Sequence, residues 1–256
     1  MKNESYYKIK EDLERSGIKP GDDLLIHSSF KSLGYVEGGI QTLIDALVSY
    51  LGDRGTLLFP TLSYSTVHDP KNNFTFDIIN TPACVGAIPE FFRHCDGVVR
   101  SMHPSHSVAA LGYRQSEYTS RHYLDNEPVG ENSPFRILSQ FGGKVLMLGC
   151  GTRCNTSMHG VEEMARVPYV LSDEMREYTL IGADGVSVKK EYYYHYMGQR
   201  GFIQRYDRLE NLMEYGKCKI LNADCHLIDS ATMWRTGLKK LTEDTYYFVD
   251  RKEGFS

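Results

Sequence analysis

The chain reads as an α/β protein: a mixed sheet with a partly parallel N-terminal core, flanked by helices, and antiparallel hairpins toward the C-terminus. Three observations predict this. Residues 23–27 (DLLIH) and 55–60 (GTLLFP) are short apolar runs bounded by turn residues. Between them Ile40, Leu43, Ile44, Leu47, Val48 and Leu51 recur at helical spacing. Strand, loop, helix and strand in that order form a crossover unit with parallel pairing. Residues 144–163 (KVLMLGCGTRCNTSMHGVEE) repeat the theme as buried strand, glycine turn and helix start. Beyond residue 172, runs at 177–181 and 186–194 flank Ala183-Asp184-Gly185, a hairpin signal. A second such pair, 217–221 and 225–228, encloses Asn222-Ala223-Asp224.

The remaining elements follow in order. Residues 5–15 have helical charge spacing, broken by Gly17 and the Lys19-Pro20-Gly21-Asp22 cluster. Residues 61–82 are polar and aromatic without periodicity, and so long an irregular stretch suits a pocket wall or lid. Helix signals resume at 85–94, and an apolar run at 107–111 follows the segment SMHPSHS. Ser133-Pro134 opens a short helix to Phe141, with proline at an early position, and Gly142-Gly143 ends it. Further helices are expected at 206–215 and 231–241. No composition break or repeat divides the chain, so residues 1–256 are expected to form a single domain.

The 256 residues are enough to bury a substantial core, and 41% hydrophobic with 24% charged residues is ordinary for a soluble protein. A net charge of -4 argues against a general nucleic-acid or anionic-membrane binder. The N-terminal MKNESYYKIKEDLERSG lacks the apolar core of a signal peptide, and no stretch approaches the roughly 20 apolar residues of a spanning helix. A cytoplasmic location is the default expectation. There the six scattered cysteines stay reduced. Cys150, Cys154 and His159 invite a zinc reading, yet their spacing is not C-x-x-C and no second pair completes a tetrahedral set. No metal is expected.

Four polar clusters stand at the ends of predicted strands. HSSFKSLG (27–34) offers hydroxyls, a lysine and a glycine suited to phosphate or amide binding, or simply a serine-rich turn. RSMHPSHSVAALG (100–112) packs two histidines and three serines into seven residues, and Pro104 pushes His103 toward extended geometry. GENSPF (130–135) reads as a loop and helix start, with Glu131 able to face a cationic ligand. In the fourth, His159 and Glu162 lie three apart on one helix face, either a general base with its orienting carboxylate or a solvated surface pair. The GCG before them lacks the third glycine of a dinucleotide fingerprint, since Cys154 occupies that place.

In this order and at these separations the clusters resemble the aminoglycoside 3-N-acetyltransferase family. The matching pieces are HSSFKSLG, GTLLFPT, TPACVGAIPEFFR, the RSMHPSHSVAALG block, the SPF turn, GGKVLMLG and NTSMHGVEE, spanning roughly residues 20 to 170. Each is weakly specific; the ordered set is strong. The C-terminal third matches loosely. The resemblance implies acetyl transfer from acetyl-coenzyme A to the 3-amino group of the deoxystreptamine ring of an aminoglycoside antibiotic, hence antibiotic resistance, or the same chemistry on another amino sugar or secondary-metabolite amine.

It makes His159 the general base and Glu162 its partner, with direct transfer in a ternary complex and no acyl-enzyme. Oxyanion donors would come from the Ser28-Ser29 loop or Asn155-Thr156. It places coenzyme A against Ser28, Ser29, Lys31, Ser32, Leu33 and Gly34, faced by His103, Ser105, Ser107 and Val108. His27 either joins the proton network or is structural. A polycationic acceptor implies acidic and aromatic contacts, for which Tyr64, Asp69, Asp77, Glu131 and Glu163 are the candidates. Gly160 stands where a bulkier residue is common, implying a wider acceptor pocket, and the Cys150/Cys154 pair is not a family hallmark. No nucleic acid or membrane partner is expected, and the protein is expected as a monomer or homodimer. Zinc hydrolysis at Cys150, Cys154 and His159, or a non-enzymatic coenzyme A-binding module, are the competing classes.

Overall fold

The computed structural model describes residues 2–196 and 200–252. In chain order the elements are α1 (Glu4–Arg15), β1 (Asp23–Ser28), α2 (Gly39–Leu51), β2 (Thr56–Pro60), α3 (Tyr64–Val67), β3 (Thr75–Asp77), α4 (Ala87–Phe92), β4 (Val99–Arg100), β5 (Val108–Gly112) and α5 (Gln115–Thr119). They continue with α6 (Pro134–Gln140), β6 (Lys144–Leu148), α7 (Ser157–Met164), β7 (Arg176–Ile181), β8 (Ser187–Tyr192), β9 (Phe202–Gln204), β10 (Gly216–Ile220), β11 (Ala223–Asp229), α8 (Ser230–Glu243) and β12 (Val249–Arg251).

The main sheet has the order β10-β11-β6-β1-β2-β5-β4. Its centre is parallel, β6 with β1 and β1 with β2, and every other neighbour pair in it is antiparallel. The mixed α/β architecture expected from the sequence is therefore present. β1 is the middle of the parallel core because DLLI is apolar on both faces, and its residues divide between two cores. Leu25 joins Leu58, Val108, Val145 and Met147 beneath α6, α7 and α8. Leu24 and Ile26 join Leu57, Phe59, Leu146 and Leu148 beneath α1, α2 and α4. Alternation along a strand sends neighbours to opposite faces, so a sheet covered by helices on both sides needs near-continuous apolar runs.

Caps fix where helices begin. Asn3 accepts from Tyr6 N at 3.0 Å to start α1, and Asp229 accepts from Thr232 N at 2.8 Å to start α8. Each such cap contributes about 1 kcal/mol.

The C-terminal hairpins stand in two sheets: β10 and β11 extend the main sheet, whereas β7 pairs with β8 on one side and β3 on the other in a separate sheet over Val67, Phe76, Tyr178, Leu180 and Tyr192. Two expectations change. Residues 61–82 are not irregular throughout, because β3 is recruited parallel to β7 at a distance no local pattern encodes. Residues 206–215 form only a 3-10 turn at Tyr206–Asn211, anchored by its first residue, whose hydroxyl reaches His159. No helix among the described residues is long and apolar enough to cross a membrane.

Candidate active site

The parallel strands end at a common edge, and a cavity of about 370 Å³ opens there. It is lined by Ile26, His27 and Ser28 from the end of β1, by Pro60, Leu62 and Tyr64 from the end of β2, and by Cys150, Cys154, Thr156 and His159 following β6. Cys84, Val85, Pro89 and His106 complete the wall. This is the crevice outside the carboxyl ends of strands where open α/β sheets bind ligands.

Two features of the sequence shape it. Gly149, at φ +67°, lets the loop after β1 cross the end of β6: a Cβ there would lie 1.8 Å from Ser32 Oγ. Arg100, buried on β4, clamps the segments around the edge. Its guanidinium donates to Thr61 O at 2.8 Å, Thr81 O at 2.6 Å and Ser107 Oγ at 3.0 Å. Burial pulls its pKa down to about 9.

His159 and Glu162 are joined through a third residue. Tyr206 Oη lies 2.7 Å from His159 Nδ1 and 2.6 Å from Glu162 Oε2, while the direct His159–Glu162 separation is 3.4 Å. Glu162 is fully buried and His159 retains 13% side-chain exposure. Burial, reinforced by Glu162, holds the Tyr206 phenol well above its ordinary range, so it keeps its proton. Tyr206 has one proton to give, and a carboxylate oxygen is the stronger acceptor. Tyr206 therefore donates to Glu162, His159 Nδ1–H donates to Tyr206, and Nε2 carries the lone pair.

Behind His159 lies a run of buried imidazoles. His195 is 4.4 Å from His159 by ring centroids, His106 is 4.6 Å from His195, and His103 stacks on His122 at 4.7 Å. Burial is the first cause holding all four supporting rings neutral: His103, His106 and His195 lie well below the ordinary range and His122 is pulled to about 3. His195 Nε2 lies 2.5 Å from Glu163 Oε1, and the same carboxyl accepts from Val129 N at 3.1 and 3.0 Å. Burial pushes Glu163 well above the usual carboxylate range, so this pair is neutral too.

Placement of the sequence candidates is uneven. His159, Tyr64, Ser28 and His27 reach the cavity. His27 is pulled to about 3 by burial, and neither its Nε2 nor Ser28 Oγ has a hydrogen-bond partner among the described residues. Ser29 N ties the loop to the end of β6 through Leu148 O, and Ser32 Oγ ties it to itself through Ser29 O. Lys31 and Gly34 are exposed, and Leu33 is buried in the core.

The second predicted loop does not present the residues expected of it. His103, Ser105, Ser107 and Val108 are all buried, with Ser105 on His106 Nδ1 and Ser107 on Thr61. The residue that reaches the cavity is His106, because Pro104 and the Arg100 clamp turn the others inward. Glu163 is likewise no ligand contact: it faces the core beside Glu162 and is 1% exposed. Glu131 lines a different surface concavity with Glu117 and Arg121, because Asp125 accepts from Asn132 N and anchors that loop toward α5. Asp69 and Asp77 cap local turns at Lys71 N and at Ile79 and Asn80 N. Gly160 does not widen the cavity. A Cβ there would sit 2.4 Å from Val129 and 2.5 Å from Trp234, so the glycine permits core packing.

Asn155 is also committed elsewhere, its Oδ1 accepting from Ser157 N. Among the described residues no group of three or more His, Cys, Asp or Glu is arranged to hold a metal ion, so Cys150, Cys154 and His159 share a wall without forming a ligand set. Tyr206, His195, His106 and Arg100 are the residues not singled out from sequence. His106 and Arg100 lay inside the dense second cluster, which was the available signal. Tyr206 and His195 lie in the region without motifs.

A family model described as aminoglycoside 3-N-acetyltransferase matches residues 25–242. Aminoglycoside N(3)-acetyltransferase IX of Micromonospora chalcea is 33% identical over 175 residues, covering 62% of this chain and 62% of its own length. Aminoglycoside N(3)-acetyltransferase IV of Salmonella sp is 33% identical over 242 residues, covering 93% of this chain and 87% of its own length. The match thus spans somewhat less than two thirds of the first relative and most of the second. Among solved structures, a histidine-to-alanine variant of aminoglycoside acetyltransferase AAC(3)-IVa in complex with a gentamicin has TM-score 0.78 at 30% identity, covering 95% of this chain and 90% of that one. AAC-IIIb binary with CoASH has TM-score 0.77 at 26% identity, covering 93% and 92%.

Proposed function

This chain belongs to the aminoglycoside 3-N-acetyltransferase family, and we propose that it transfers the acetyl group of acetyl-coenzyme A to the 3-amino group of an aminoglycoside's deoxystreptamine ring. The observation that carries this reading is the His159–Tyr206–Glu162 chain set in the wall of a cavity at the carboxyl edge of the parallel strands. The complexes of related enzymes with a gentamicin and with coenzyme A support the two ligand classes. The proposal places this activity in the cytoplasm and in a single domain over residues 1–256.

An ammonium must lose its proton before it attacks a thioester, and imidazole is the side chain matched to that task near neutral pH. His159 Nε2 accepts the proton as the amine attacks the acetyl carbonyl. The developing imidazolium is stabilised through Tyr206 by the buried Glu162 carboxylate. Charge on the carbonyl oxygen needs donors that are already oriented. Ser28 Oγ, unpartnered among the described residues at the cavity wall, and Thr156 are the groups assigned to it. Collapse breaks the C–S bond, and the coenzyme A thiolate leaves with the proton held on His159; the amine takes the acetyl group directly, with no acyl-enzyme. Lys31, exposed on the loop after β1, serves the phosphates as a point charge.

A second reading, acetylation of another amino sugar or secondary-metabolite amine, is favoured by the lack of a carboxylate among the described residues that line the cavity. Steady-state assays with acetyl-coenzyme A against aminoglycosides and nucleotide-linked amino sugars decide between them. Turnover of a deoxystreptamine aminoglycoside, with acetate mapped to the 3-amino group, is the expected result. Turnover of amino sugars alone replaces the first reading with the second.

A further inference from the structure

The cavity wall carries a chemistry that acetyl transfer does not use. Cys150 and Cys154 both line it, one just before and the other at the end of the 3-10 turn Thr152–Cys154, with Thr156 and His159 beside them. Cys154 Sγ–H donates to Cys150 O at 3.4 Å, which folds the second cysteine back onto the first. Cys154 is exposed and Cys150 half-buried, so one sulfur meets solvent first and the other stands behind it.

We propose that Cys150 and Cys154 form a thiol–disulfide exchange site in the cavity wall, where Cys154 attacks the disulfide of a small aliphatic thiol and Cys150 resolves the adduct. The coenzyme A disulfide is the member of that class best matched to the cavity, and this choice, unlike the exchange chemistry, rests on the proposed coenzyme A site.

The steps balance. The Cys154 thiolate attacks R–S–S–R, forming the Cys154–S–S–R mixed disulfide and releasing R–S⁻. Cys150 gives its proton to the released thiolate and attacks the Cys154 sulfur, expelling a second R–S⁻ that takes its proton from solvent. Two enzyme thiols are oxidised by two electrons, and the external disulfide is reduced to two thiols. Polarity favours these roles. The neighbouring Cys150 thiol, with the Arg153 charge, lowers Cys154 to about 6, whereas the neighbouring Cys154 thiol and burial push Cys150 up. Cys154, the exposed member of the pair, is thus the more readily ionised and the first to attack.

The protein contains a comparison for this pair. Cys218 and Cys225 face each other across β10 and β11, but Cys225 is buried in the core and neither lines the cavity. Both pairs place two thiols close together, and access from the cavity is what sets Cys150 and Cys154 apart.

The test incubates the full-length reduced protein, without air, with coenzyme A disulfide or glutathione disulfide at neutral pH. Intact mass and peptide mapping follow the thiols, and acetyl transfer is assayed before and after treatment. The expected result is loss of two hydrogens on the peptide carrying Cys150 and Cys154, at least about 10-fold faster than oxidation at Cys218 and Cys225. Turnover falls with that oxidation and returns with dithiothreitol. Cys150→Ser accumulates the mixed disulfide at Cys154, and Cys154→Ser gives neither adduct nor cross-link. Faster reaction with coenzyme A disulfide than with glutathione disulfide supports the cavity as its binding site. Equal rates leave the exchange site standing and count against the coenzyme A reading. No mass change at Cys150 and Cys154, or earlier modification of Cys84, Cys95 or Cys218, overturns the proposal.

Discussion

The loops at the carboxyl edge of β1, β2 and β6 and the segment beyond residue 171 meet at His159, and they serve it by different means. The first region shapes a space. Its glycine at 149, its Arg100 clamp and its strand ends fix backbone around a cavity. The second region adds single buried side chains, Tyr206 against His159 and Glu162, and His195 against Glu163. A cavity wall needs a pattern of residue types over many positions, so it leaves motifs. A buried polar support needs one atom in one place, and any segment that folds there can supply it.

The largest effect that tests this division is in acid. His27 and His122 are pulled to about 3, His68 to about 4, and His103, His106 and His195 well below the ordinary value, with burial the first cause each time. The unfolded chain binds protons near pH 6.5 that the fold refuses, so stability is full above that pH and falls toward the folded values. Each such group removes about 1.4 kcal/mol per pH unit in that window. Glu163, raised by burial, acts in the opposite sense above its ordinary pKa but is one group against six. Urea midpoints should drop steeply from pH 7 to 5. A flat profile would show that the imidazole run joining the two regions is not buried and neutral.

Next in size, His159→Ala should lower kcat by about 10²–10⁴, with coenzyme A binding retained by calorimetry. Survival of turnover would move the base to another residue. Tyr206→Phe removes only the bridging hydroxyl and leaves Glu162 buried without its donor. A loss of about 1–3 kcal/mol, hence roughly 5–150-fold in kcat, is expected with KM for acetyl-coenzyme A little changed. If kcat does not move, the C-terminal region supports the fold but not the base. Gly160→Leu should cost about 1–3 kcal/mol in thermal or urea unfolding by overpacking Val129 and Trp234. A change confined to acceptor KM would instead restore Gly160 to the acceptor pocket. Smallest, Lys31→Ala should raise KM for acetyl-coenzyme A about 2–5-fold at low salt, fading as salt screens the charge.

The parallel core was legible because β1, β2 and β6 are buried on both faces, which writes continuous apolar runs between turn residues. The hairpin β7–β8 was legible from Asp184-Gly185, where turn chemistry fixes local geometry. The pairing of β3 with β7 was not, since a three-residue strand gains its partner about a hundred positions away. His159 and Glu162 could be placed on one helix face from their spacing, and the ordered motifs named a family. The second loop could be marked as dense in polar residues, but not that His106 rather than His103 would face the cavity.

The sequence by itself determined the sheet's class, the strand ends that shape the cavity, and the shared face of His159 and Glu162, because these follow from hydrophobic period, turn residues and helix pitch. Only the tertiary structure decided which polar side chains became walls and which became buried supports. Tyr206 completes the His159–Glu162 link from a turn more than forty residues away, and Glu163 turns inward to His195 although it adjoins Glu162 in the chain. The physical reason is that a buried polar group costs free energy unless partnered, and the partner is found in space, wherever packing delivers it.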